Sequence, residues 1–125
     1  MHIKGADNLN VLRAAELLRI KANSQLNPEV KSTLGQFFTP HSISLYMASL
    51  FDKIEGEISL LDPGCGSGSL SAAFVDESLI RGKIKSLDIH AIDIDSVIQP
   101  FIEETLSLCV EKSKKTVSRS TQILS

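Results

Sequence analysis

The stretch Leu60-Leu61-Asp62-Pro63-Gly64-Cys65-Gly66-Ser67-Gly68-Ser69 constrains the fold more than any other part of this chain. A mostly apolar run from Ile58 to Leu61 ends on a carboxylate, glycines follow at alternate positions, and a helical pattern starts at Ser69. This is how a buried strand, a tight loop and a helix are written. Residues without a Cβ let the loop turn sharply and let a ligand approach the backbone. The helix is predicted over about 69–81, with Leu70, Ala73 and Phe74 inward and Gly82 as its stop.

A second strand is predicted over about 86–92, where Leu87, Ile89 and Ala91 alternate with Asp88 and His90 before Asp93-Ile94-Asp95. A helix with Ile98, Phe101, Ile102 and Cys109 follows; Ser96 and Gln99 have capping-box spacing and Pro100 falls in the first turn. The basic run Lys112–Arg119 reads as a solvated linker, and Thr121 to Ser125 as the opening of a third strand. Upstream, Val11, Ala15 and Leu18 predict a helix over about 8–22, and Asn23 to Lys31 a connector. In Leu34-Gly35-Gln36-Phe37-Phe38-Thr39-Pro40, Thr39 is expected at an N-cap and Pro40 at the first helical position. The helix after them would carry Ile43, Met47, Leu50 and Phe51 on one face.

Strand, helix, strand, helix with short links specifies a doubly wound parallel α/β sheet. Ligands in such sheets sit beyond the carboxyl ends of the strands. The glycine loop, Asp93 and the loop before Pro40 converge on that edge. The 125 residues suit one domain, and the formal charge of −2 offers no global basic field for nucleic acid. Cys65 and Cys109 lack metal-ligand or CxxC spacing, and no signal pattern or spanning apolar run occurs. The expectation is a reduced, cytoplasmic chain with no membrane association and no metal. His2, His41 and His90 form no constellation in the sequence and are expected at the surface.

Local electrostatics select the ligand. A nicotinamide site requires G-x-G-x-x-G, and Ser69 stands where the third glycine belongs. Asp62 would repel a pyrophosphate but attract the α-ammonium of a methionine moiety, which favours S-adenosylmethionine. Asp93 follows the glycines at about the separation, roughly 20 residues, expected of an acid that accepts bonds from ribose hydroxyls.

Gly35-Gln36-Phe37-Phe38-Thr39-Pro40, Leu61-Asp62-Pro63-Gly64-Cys65-Gly66-Ser67-Gly68 and Ala91-Ile92-Asp93-Ile94-Asp95 together resemble three successive motifs of the adenine-specific (N-6) DNA methyltransferases of restriction–modification systems. The resemblance spans roughly residues 32 to 105 and implies a partial class I methyltransferase (Rossmann-like) sheet, ending after its second or third strand. Residues 1–31 would be an N-terminal helical extension, and 32–125 an incomplete S-adenosylmethionine-binding half. It implies that Thr39, beside Pro40, binds the methionine carboxylate and that Phe37 and Phe38 wall the pocket. Asp62 and Pro63 would face the amino end. Gly64, Cys65, Gly66 and Gly68 would form the loop at the cofactor, Asp93 would hold the ribose, and Ile94 would pack on adenine. Asp95 would cap the next helix instead.

One family element is absent. The Asn/Asp-Pro-Pro-Tyr/Phe motif that holds the target adenine does not occur, because Pro28, Pro40, Pro63 and Pro100 are the only prolines and none are adjacent. The resemblance therefore implies a cofactor-binding portion without a catalytic residue, inactive alone, with DNA as partner of the complete enzyme. A second chain would carry the catalytic motif and the base-reading region. Two alternatives stay open: a methyltransferase portion acting on ribosomal RNA or a protein glutamine, and a non-catalytic cofactor-binding fragment.

Overall fold

The computed structural model describes residues 3–25, 39–113 and 117–123. Three strands, β1 (Gly56–Pro63), β2 (Ile84–Asp93) and β3 (Val117–Ile123), form a parallel sheet in the order β1-β2-β3. Helix α1 covers Ile3–Gln25, α2 His41–Ser49, α3 Ser69–Arg81 and α4 Gln99–Ser113. Strands and helices alternate as the sequence predicts, giving a three-stranded part of a Rossmann-like methyltransferase fold.

The core lies where alternation puts it. Leu87, Ile89 and Ala91 of β2 are buried, and Ile98, Ile102 and Leu106 pack against them. Burying side chains of this size contributes about 1.5–3 kcal/mol each. Helix α3 starts and stops on glycines in the left-handed region, Gly68 (φ 88°) and Gly82 (φ 67°). Helix α1 runs three residues past its expected end at residue 22 and inserts Ala15 and Ala22 into the interior. Arg81 at the end of α3 bonds the carbonyls of Ser49 and Asp52, and Phe51 meets Phe74 edge-on at 5.1 Å. These contacts fix α2 over α3.

Four further features differ from expectation. Pro40 is the N-cap of α2 rather than its first helical residue, because its ψ of 153° is extended while its carbonyl already accepts the Ser44 N–H at 3.0 Å. Thr39 therefore lies outside the cap. Before α4, a short 3-10 turn (Ser96–Ile98) is capped by Asp95 Oδ1, which accepts the Val97 N–H at 2.9 Å, so the Ser96–Gln99 box does not form. The outward stripe of α2 is exposed rather than packed: Ile43, Met47, Leu50 and Phe51 are 44–63% accessible, whereas Ser44 and Ala48 are buried.

The fourth difference is β3, which begins four residues before Thr121. Its Arg119 and Thr121 are satisfied by Glu103 of α4, while Ser118 and Ser120 point to the other face. A strand whose inward positions are held by polar partners has no apolar alternation to read. Arg119 is thus a strand residue, and Lys112 pairs with Asp76 of α3, so neither belongs to a solvated linker.

Candidate functional site

The site is built at the carboxyl ends of β1 and β2. After Asp62 the chain turns through Gly64 (φ 66°) and Gly66 (φ 54°), a region open to glycine with little cost. The Cys65 N–H bonds the Ile92 carbonyl at 2.9 Å, and the Gly66 N–H bonds Asp93 Oδ2 at 2.9 Å. These two bonds clamp the loop onto the end of β2. The other Asp93 oxygen accepts the N–H groups of Ile94 (2.7 Å) and Asp95 (3.0 Å). An ionised carboxylate has about four acceptor positions, so Asp93 keeps capacity for one further donor.

The three glycines do different work. A Cβ on Gly64 would meet nothing within 4 Å, which leaves open space beside the loop. A Cβ on Gly68 would lie 2.5 Å from Ile102 Cδ1 and 3.0 Å from Thr105 Cγ2. At Gly68 the missing side chain serves the close approach of α4. The spacing in sequence could not separate that role from ligand access.

Asp62 is buried at 7% exposure, and Ser71 Oγ–H donates to its Oδ2 at 2.6 Å. Burial pushes its pKa up; the Ser71 bond opposes this, and the Asp93 charge adds to it. A cation placed here would favour the ionised form. Ser71 was not legible as a site residue, although its place in the first turn of α3, facing back to β1, is the available signal. Burial, reinforced by Asp62 and Asp93, pushes the Cys65 thiol up to about 12, so it is no nucleophile.

Thr39 is brought to the same loop. With Gly64, Cys65, Gly66, Ser67, Ser69 and Leu70 it lines a cavity of about 30 Å³ at the start of α3. Helix first turns present N–H groups without intrahelical acceptors, so the cavity suits a small anionic group. Ile94 is 53% exposed beside Asp93, and Pro63 is exposed at the end of β1. Phe37 and Phe38 lie outside the described residues. His90 is at the surface as expected but bridges Asp88 Oδ2 (2.8 Å) and Ser120 Oγ (2.7 Å) on the open sheet face. This chain across strands was absent from the sequence reading.

A parallel α/β sheet with a glycine loop tied to a strand-end acid defines a Rossmann-like class of fold. Residues 23–110 match the family model of the N-6 DNA methylases, and the chain belongs to that family. Its relatives include the type II methyltransferase M.BsuBI of Bacillus subtilis, 43% identical over 100 residues, which are 78% of this chain and 19% of that protein. M.PstI of Providencia stuartii is 38% identical over 102 residues, 82% of this chain and 20% of the relative. M.HincII of Haemophilus influenzae is 40% identical over 72 residues, 58% and 13% of the two chains. The chain thus spans about a fifth of the length of the first two relatives. No solved structure matches it.

Proposed function

We propose that this chain is the S-adenosylmethionine-binding portion of an adenine-specific DNA methyltransferase, and that it does not methylate DNA alone. The convergence of Thr39, the Gly64–Gly66 turn, Asp62 and Asp93 on one sheet edge supports this reading most strongly. When bound, S-adenosylmethionine supplies an electrophilic methyl group on its sulfonium. Thr39 and the first turn of α3 receive the methionine carboxylate, an anion at a helix N-terminus. Asp62 takes the α-ammonium, whose charge opposes the upward push that burial gives its pKa. Asp93 uses its spare acceptor position on the ribose, and Ile94 packs against the adenine.

Methylation further requires a group that holds the target amine and a surface that reads DNA. Extruding a base costs a few kcal/mol, and the Asn/Asp-Pro-Pro-Tyr/Phe motif that would stack it is absent from this sequence. DNA is accordingly the partner of the complete enzyme. Two buried free thiols suit the reducing cytoplasm, and no helix among the described residues is long and apolar enough to cross a membrane.

Calorimetric titration with S-adenosylmethionine tests the site. Asp93→Ala is expected to weaken binding at least about tenfold, as loss of a charged hydrogen bond does; equal affinity would overturn the assignment. Incorporation of labelled methyl into unmodified DNA by the purified chain would overturn the predicted inactivity.

A further inference from the structure

A groove of about 490 Å³ beside β1 is walled chiefly by apolar side chains such as Met47, Leu50, Phe51 and Phe74. Unused hydrogen-bonding capacity lies in a much smaller cavity, where α1, α2 and α3 meet. This one, about 10 Å³, is lined by Glu16, His41 and Ser69 together with Ala15, Ala72 and Ala73. The three alanines are buried, and their short side chains leave about the room that one water needs. His41, the first residue of α2, was expected at the surface but has its Nε2 buried without a hydrogen-bond partner. Buried polar atoms are ordinarily paired. The Glu16 carboxylate accepts two bonds from Arg19 (2.7 and 3.0 Å) and the backbone N–H of His41, which leaves one of its roughly four acceptor positions. The Arg19 hydrogen bond holds Glu16 below the usual carboxylate range, so it stays charged and can only accept. Ser69 joins this cavity to the functional site, because it also lines the cavity that Thr39 shares with the glycine loop. Its Oγ lies 3.4 Å from Ser67 Oγ, too far to fix the direction of its proton.

We propose that a buried water held by His41 and Glu16 aims the Ser69 hydroxyl at the methionine carboxylate, which makes His41 a positioning residue for the cofactor. The donors and acceptors at the cavity allow one consistent arrangement. The water gives one proton to Glu16 and the other to Ser69 Oγ, and its oxygen accepts from His41 Nε2–H. Ser69 Oγ, already an acceptor of the water, then has its own proton free to donate into the Thr39 cavity. A hydroxyl held in that direction meets an anion without first having to be ordered. The inference rests on the cofactor reading above and adds Glu16 and His41, which lie outside the three motifs that carry it.

Calorimetry with S-adenosylmethionine and with its decarboxylated form, which lacks only the carboxylate, separates positioning from folding. His41→Phe removes the donor and should weaken S-adenosylmethionine about tenfold while leaving the decarboxylated form unchanged. His41→Gln, whose amide N–H stands in for Nε2–H, should restore the affinity. Ser69→Ala, a change small enough to keep the fold, should lose the same factor, and combining it with His41→Phe should lose no more. In nitrogen-15 NMR of the free chain, His41 should carry a proton on Nε2 that cross-relaxes with a long-lived water. Unchanged S-adenosylmethionine affinity in His41→Phe, equal losses for the two ligands, additive losses in the double variant, or a ring proton on Nδ1 alone would overturn the inference. Failure of the wild-type chain to bind either ligand overturns the functional reading, and the spectrum then still decides the water site.

Discussion

The two edges of the sheet are built on opposite principles. On β3, Ser118, Ser120 and Gln122 face outward, and Arg119 and Thr121 are held by Glu103, so the strand carries its own polar cover. Polar and charged residues of this kind keep an edge from pairing with other chains. On β1, Leu61 is exposed and the adjoining groove is apolar. β3 is covered by polar groups along its length, whereas β1 ends beside an apolar groove.

The contrast can be broken at several strengths. Ile89→Ala in β2, a residue with no exposure, removes packing that both edges share and should cost about 3 kcal/mol in urea denaturation. Both edges should then unfold in one transition; separate melting of β3 would show that the sheet is not one unit. Glu103→Ala should release only β3, at about 1 kcal/mol for its hydrogen bonds, with faster amide exchange confined to that strand.

The edges should also respond oppositely to pH. The Thr121 and Arg119 hydrogen bonds hold the Glu103 pKa below its ordinary value. Its contribution is therefore present above the unfolded carboxylate pKa and lost as pH falls through the lower folded one. Burial raises the Asp62 pKa, so its contribution is fullest below the unfolded value and lost as pH rises through the folded one. Acid should loosen β3 while easing the end of β1. Glu103→Gln should flatten the acid limb of the stability profile, and Asp62→Asn the limb above it; identical profiles would remove the distinction. The smallest effect is expected from Leu50→Glu, within about 0.5 kcal/mol of wild type by thermal unfolding, because the side chain touches mostly solvent.

Local backbone chemistry made much of this legible. The strand–glycine–helix unit and the Gly82 stop follow from residues adjacent in sequence, and both stand in the structure. Pairing across strands was not legible. The Asp88–His90–Ser120 chain depends on the β2–β3 register, which places His90 opposite Ser120 and which no single segment encodes. The early start of β3 was hidden because an ion pair replaces apolar alternation at Arg119. Gly68 illustrates a third limit: its need for space came from α4, more than 30 residues onward, rather than from the loop containing it. The exposed stripe of α2 was readable as apolar, but its lack of a described partner became visible only in three dimensions.

Hydrogen exchange with and without S-adenosylmethionine tests the central claim most directly. The predicted result is added protection of the amides from Gly64 to Ser71 and from Asp93 to Asp95, with β3 and the groove face of α2 unchanged. Protection confined to the groove, or no change at either segment, would contradict the assignment of the glycine loop and Asp93 as the methyl-donor site.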